Sequence, residues 1–203
     1  SHERTADGDE LPITAPNTTL FVFKATNEKH TGAMSYFKVC SGEVRAGQEL
    51  FNSVSKSRGK LTQLFAIDGK NRHPVEMLAA GDIGVAVKFK DTQVNHTLRG
   101  EADGVALEPI SFPEPKMRTA IRPANQHDEE KMVQALIRMA ESDSTLRFAY
   151  AKELRQNILS GQGDLHLQTV KWELAHTHGV EIEFYEPRIS YRETITQAAQ
   201  GYY

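Results

Sequence analysis

A single cysteine, Cys40, stands in a chain of 203 residues, so neither an internal disulfide nor a thiolate zinc site can be assembled. Placed beside Val39 and close to Phe37, it reads as a small strand residue in a reduced, cytoplasmic setting. No apolar run approaches the roughly 20 residues that a membrane helix needs. The first sixteen residues are polar and acidic and lack the apolar centre of a signal peptide. A glycine-rich phosphate loop is also missing. Arg58-Gly59-Lys60-Leu61 has a leucine where serine or threonine is required and lacks the earlier glycine. There is no HExxH pair, and no serine sits in a GxSxG elbow. Of the eight histidines, His166, His176 and His178 fall near one another, but His176 and His178 are two apart and leave a helix on different sides. These absences exclude nucleotide hydrolysis, zinc hydrolysis and serine-nucleophile chemistry from what the residues themselves support, and with them a cofactor or metal in this chain.

Charge of one sign is also scarce. The net charge is -3, with 25% charged residues and 39% apolar ones, the balance of an ordinary folded protein. Residues 1–16 carry one basic and four acidic groups, residues 17–112 carry 12 and 10, and residues 113–195 carry 11 and 13. No global field draws this chain to nucleic acid, so any such contact must come from a local patch.

What is present is periodicity of two kinds. Residues 17–112 hold short β-prone runs at 20–25, 34–40, 61–67, 83–89 and 105–110, separated by turn residues such as His30-Thr31-Gly32, Asp68-Gly69, Ala80-Gly81-Asp82 and Asp103-Gly104. Several short strands so punctuated predict a closed β-barrel. Phe112-Pro113-Glu114-Pro115 is a stiff, extended connector and the best boundary in the chain. Beyond it the reading is strand 117–122, helix 128–141, strands 146–150 and 156–159, helix 164–178 and strand 180–185. Asn125 is the expected cap of the first helix, with Asp128, Glu129 and Glu130 in its first turn. Leu165, Val170 and Leu174 mark the apolar side of the second helix, which Gly179 ends. The order βαββαβ predicts a ferredoxin-like α+β sandwich over 113–195. Residues 1–16 are expected as a flexible acidic lead-in, and 196–203 as the start of a further, absent module.

Two segments stand out as candidate sites. Lys56, Arg58 and Lys60 place three cations within five residues of a predicted barrel loop, where they either grip phosphates or simply lie in water. Ser160-Gly161-Gln162-Gly163-Asp164-Leu165-His166-Leu167 carries the chain from strand directly into helix. Gly161 and Gly163 are read there as supplying positive φ and letting the helix start close to the sheet, in a structural or switch turn with Asp164 and His166. The alternative is an anion site on free helix amides, for which Asp164 would compete.

Several stretches resemble one known family, the elongation factor G family of translational GTPases. Leu20-Phe21-Val22-Phe23-Lys24, Tyr36-Phe37-Lys38-Val39-Cys40-Ser41-Gly42-Glu43-Val44-Arg45-Ala46-Gly47 and Ala79-Ala80-Gly81-Asp82-Ile83 are similar to its second domain. Glu130-Lys131-Met132, Gly161-Gln162-Gly163-Asp164-Leu165-His166-Leu167 and Tyr191-Arg192-Glu193-Thr194-Ile195 are similar to its third domain and its exit, and Phe112-Pro113-Glu114-Pro115 to the link between the two. The resemblance implies a monomeric cytoplasmic parent that binds the ribosome and acts in translocation or subunit recycling. It implies a GTPase domain with GTP and magnesium ahead of Ser1, no catalytic role for the piece in hand, barrel contacts to small-subunit RNA, and a ribosomal protein and the parent's own GTPase domain against the second module. Gln48, Gln162, Asp164 and Asn157 depart from the family's usual residues and point to a paralogue, so a recycling factor or a tetracycline-type ribosomal protection protein stays open. So does a stand-alone ligand- or protein-binding module unrelated to translation, and a metal-dependent enzyme would require bound metal.

Overall fold

The computed structural model describes residues 2–28, 31–69, 71–87, 89, 91–102 and 106–188. The chain forms two compact units, residues 1–113 with 137–145, and residues 114–136 with 146–203. The first unit is built from β1 (His2–Arg4), β2 (Glu10–Pro12), β3 (Thr19–Glu28), β4 (Gly32–Ser41), β5 (Glu43–Arg45), β6 (Glu49–Asn52), β7 (Arg58–Lys60), β8 (Leu64–Asp68), β9 (Asn71–Pro74), β10 (Met77–Ala79), β11 (Ile83–Val87) and β12 (Thr97–Arg99). Eight of these form one sheet in the order β7-β6-β12-β3-β4-β11-β8-β9, and β5 pairs with β10.

Alternation turns one face of this sheet inward. Leu20 and Val22 of β3, Phe37 and Val39 of β4, Leu50 of β6, Leu64 of β8, Ala86 of β11 and Leu98 of β12 meet in a single buried cluster with Val44, Leu61, Leu78 and Phe89. β6 and β8, five strands apart in the ladder, reach the same core only if the sheet wraps around it. That makes the unit a barrel, although the ladder itself runs open from β7 to β9. Burying each Leu, Val or Phe contributes about 1.5–3 kcal/mol. A smaller cluster of Met34, Val85 and Val87 with Tyr36, Phe65 and Ile67 occupies the opposite face of β4, β8 and β11. A bulge at Phe23, between Val22 paired to Phe37 and Lys24 paired to Tyr36, resets the alternation along β3.

Several details differ from the expectations. The 61–67 run becomes a strand only at Leu64, because the Leu61 N–H and carbonyl are committed to Gln48 and Gly47. The 83–89 run ends as a strand at Val87. The expected strand over 105–110 is not a strand at its described positions. Leu107 makes one bridge to Thr5, while Ala106 and Glu108 bond to Ala6 and Arg4. Those bonds also correct the expectation of a flexible lead-in, since residues 2–12 form the β1–β2 hairpin. Its Glu3 carboxylate holds Lys38 of β4 at 2.6 Å. Lys38 and residues 106–108, the partners of this hairpin, lie far along the chain, where periodicity within the first sixteen residues cannot show them.

The second unit runs β13 (Met117–Pro123), α1 (Glu129–Ser142, of which residues 137–142 group with the first unit), β14 (Arg147–Ala151), β15 (Gln156–Gly161), α2 (Asp164–His178) and β16 (Ile182–Tyr185). Its antiparallel sheet has the order β14-β15-β13-β16, which with the βαββαβ chain order is the ferredoxin-like sandwich. A short 3-10 turn, Gln126–Asp128, precedes α1, and the Asn125 carboxamide caps it by accepting from the His127 N–H at 3.2 Å. Met132, Ala135, Leu136 and Met139 bury one side of α1. On α2 the buried side is Leu167, Val170 and Leu174, spaced i, i+3, i+7. Leu165, expected on that side, instead points to solvent and is 81% exposed. Gly179 ends α2 in the left-handed region, φ 62°, and its N–H returns to the Leu174 carbonyl. The exit motif at 191–195 and the segment 196–203 lie outside the described residues.

Candidate functional site

The three-cation cluster is not all loop. Arg58 and Lys60 lie in β7, paired to Phe51 and Glu49 of β6, and Lys56 alone stands in the connecting turn with φ 57°. The turn is set by Asn52, whose side chain is buried. Its Oδ1 accepts from the N–H groups of Val54 at 3.0 Å and Ser55 at 3.1 Å. Its Nδ2 donates to the Asp91 carbonyl at 3.0 Å and to His96 Nδ1 at 2.8 Å. The backbone closes the hairpin through Lys56 N–H to the Asn52 carbonyl and Asn52 N–H to the Ser57 carbonyl. His96 Nδ1 also accepts from the Gln93 N–H at 3.3 Å, so that nitrogen is unprotonated. Burial holds the His96 imidazole below its ordinary pKa, the Asp91 carbonyl acting the other way.

Strand alternation then decides which way the cations face. Gly59 is turned inward, where the Phe89 ring lies so close that a Cβ would stand 2.8 Å from its Cζ. Arg58 and Lys60 are therefore turned outward, and both are exposed, as is Lys56. Register adds two residues that the sequence reading missed. Phe51 pairs with Arg58 on one side and with Arg99 of β12 on the other. Arg58, Phe51 and Arg99 thus form one outward row, a half-buried phenylalanine flanked by an arginine on each neighbouring strand. Only the β pairing reveals this row, because 41 positions separate Arg58 from Arg99 along the chain. Glu49 approaches Arg58 at 3.7 Å, an exposed pair of little energetic weight. A row of cations with an aromatic ring in it suits a phosphate backbone and a stacked base.

The glycine–helix segment keeps the close approach of helix to sheet that was expected, but not the positive φ. Gly161 and Gly163 do not adopt positive φ in the left-handed region; Gly163 is extended at φ 176°, which any residue tolerates. Gly161 is required by crowding. A Cβ there would lie 2.9 Å from His166 Nδ1 and 2.9 Å from Leu167 Cδ2. His166 folds back so that its Nδ1 accepts the Gln162 N–H at 3.1 Å. The side chain of His166 thus serves the chain just before the helix, and Asp164 stands exposed in the first turn. This arrangement is a built turn, and nothing in it points to an anion.

Among the described residues no three His, Cys, Asp or Glu side chains gather to hold a metal ion. His176 instead stacks on Trp172, ring centroids 4.4 Å apart. No described helix is long and apolar enough to cross a membrane.

Comparison with known proteins decides the family. Residues 17–100 match the model of elongation factor G domain 2, and residues 112–186 that of elongation factor G domain III. The chain belongs to the elongation factor G family. It is 37% identical over 201 residues to elongation factor G of Thermotoga neapolitana, which covers 98% of this chain. It is 34% identical over 198 residues to elongation factor G 1 of Syntrophomonas wolfei, again over 98% of this chain. In both cases it spans 29% of the relative's length. A crystal structure of a protein from Thermus thermophilus superimposes with a TM-score of 0.73 at 27% identity, over 85% of this chain and 26% of that one. The barrel and the α+β sandwich are therefore the family's second and third domains in sequence and in fold.

Proposed function

We propose that this chain is the ribosome-binding middle of an elongation-factor-G-like GTPase and couples the nucleotide state of the parent to domain movement in translocation or recycling. In this reading GTP and magnesium belong to a preceding domain, and this piece performs no chemistry of its own. The observation that carries the contact is the outward row of Arg58, Phe51 and Arg99, extended by Lys56 and Lys60, on the barrel. Small-subunit RNA is its partner. The exposed Leu165 and Trp172 of α2, beside acidic residues on the same helix such as Asp164 and Glu173, suit a basic ribosomal protein with apolar surface. The setting is the cytoplasm and the parent is a monomer.

The test replaces Lys56, Arg58 and Lys60 by alanine in the full-length parent and measures binding to small ribosomal subunits across a salt series. If three phosphates are engaged, the wild-type slope of log affinity against log salt is about -2 to -3 from these residues. The variant is expected to lose that part of the slope and bind more weakly, with GTP binding unchanged. Equal affinity and an unchanged slope would remove the barrel contact.

A further inference from the structure

The ferredoxin-like unit covers one face of its sheet with α1 and α2, as Gly161 shows by touching His166 and Leu167. Alternation assigns the other face. Arg118 of β13 pairs with Ser160 of β15, which pairs with Arg147 of β14, so the three share one row on the side away from the helices. The next row holds Ala120, Ile158 and Ala149, with Tyr185 of β16 beside Ala120. Arg122 follows two residues along β13 and lies over the Tyr185 ring at 5.8 Å. A recess of about 440 Å³ at this end is lined by Arg122, Arg155, Asn157 and Tyr185 among others.

Charge on this unit is sorted by layer. The helices carry Glu129, Glu130, Glu141, Asp164 and Glu173 against Lys131, Arg138 and Lys171. The sheet face carries Arg118, Arg122 and Arg147 against Glu183. Glu183 holds Arg122 at 2.6 Å and Glu114 holds Arg147 at 2.7 Å, both exposed pairs that exchange easily for other anions. Arg118 makes no ion pair among the described residues and is exposed. Between the arginines the floor is low, made of alanine, serine and a half-buried isoleucine. Arg118 and Arg147, one strand apart, stand about 10 Å from each other across it. Arginines project beyond such a floor, and their planar forks suit phosphate oxygens.

Residues after β16 cover part of this face, where the Arg188 N–H donates to Gln156 Oε1 at 3.0 Å. We infer that the exposed part of the face, around Arg118 and Arg147, is a second RNA-phosphate contact, separate from the barrel row. The inference rests on the ribosomal reading above. Its occupant is an RNA backbone, because the charge is guanidinium, only Ser160 stands between Arg118 and Arg147, and the larger side chains of the next row, Ile158 and Tyr185, are already half-buried.

The test uses the intact chain with Arg118→Glu and Arg147→Glu together, Trp172 fluorescence confirming that the second unit stays folded. Binding to small ribosomal subunits and to protein-free small-subunit RNA is measured across a salt series. The expected result is weaker binding to both, with the salt slope reduced by about 1 for each arginine. Wild-type binding to both by the variant overturns the inference and leaves the barrel contact standing. A loss confined to intact subunits, with binding to bare RNA unchanged, overturns it in favour of a ribosomal protein. No binding by the unaltered chain, with the full-length parent failing equally, removes the ribosomal reading and this inference together.

Discussion

Replacing Gly161 by alanine tests the account of the glycine–helix turn most directly. The new Cβ would meet His166 Nδ1 and Leu167 Cδ2, each at 2.9 Å. Leu167 is 1% exposed and has nowhere to go without moving core neighbours, whereas the half-buried His166 ring can swing outward. Swinging out breaks its bond from the Gln162 N–H. Overpacking of this kind costs about 1–3 kcal/mol, and the lost bond adds about 0.5–1.5 kcal/mol. The gain from removing a strand glycine offsets about 0.5–1 kcal/mol of this. The net expectation is a loss of about 1–3 kcal/mol.

The same geometry predicts coupling. His166→Ala alone loses the Gln162 bond, about 1 kcal/mol, but it also removes one of the two groups that a Cβ at 161 would strike. The double variant is then less destabilised than the sum of the singles by about 1 kcal/mol. The assay is urea unfolding of the 203-residue chain followed by Trp172, the single tryptophan, which lies on α2 and reports the second unit. With a urea slope of about 1–2 kcal/mol per molar, Gly161→Ala should lower the midpoint by roughly 0.5–3 M. An unchanged midpoint, or costs that add within about 0.3 kcal/mol, would refute the crowding argument.

The Cys40 thiol is buried and its pKa is pushed up to about 11, so the folded chain should resist alkylation at pH 8 and react only after unfolding; prompt labelling of native protein would contradict this. His96 is held neutral by burial, so its ring should titrate below the ordinary 6.5 when followed by NMR. Its folded pKa lies below the unfolded one, so its contribution to stability is complete above about pH 6.5 and declines as the pH falls through the folded value. A titration at or above 6.5 would contradict the burial. Asn52→Ala leaves every cation in place but strips the turn of four side-chain hydrogen bonds. It should cost about 1–3 kcal/mol and weaken small-subunit binding, and full binding with a destabilised barrel would show that hairpin geometry is irrelevant to the contact.

The second unit was legible almost element by element, because each of its strands and helices carries its own period over several residues. Asp164–His178 was bounded by signals that are local in the chain, an acidic first turn and a C-terminal glycine. The first unit was legible as a β-barrel but not in its strand list. Strands such as β5, β7, β10 and β12 have three residues each, too few for alternation to register, and they exist because a partner lies alongside. β12 is held by β3 and β6, whose sequences are far from its own. For the same reason the density of Lys56, Arg58 and Lys60 was visible in the sequence while Phe51 and Arg99 were not. At Gly161 the close approach of the helix holds and the positive φ does not, since a glycine demanded by a neighbouring side chain looks the same in sequence as one demanded by φ.

Net charge and the charge of one layer are different quantities in the second unit. Residues 113–195 carry 11 basic and 13 acidic groups, so no field of the whole segment attracts RNA and only a local patch can. A period of two, however, places Arg118 and Arg122 on the same side of β13, and register brings Arg147 into line with Arg118 across Ser160. The helices take much of the negative charge to the opposite layer. Screening over about 8–10 Å at physiological salt means that an anion at the sheet face responds mainly to that face. A sum over the sequence averages two layers that a ligand never meets together. The electrostatic unit that matters for recognition is one face of one sheet, and it becomes readable once strand register is known.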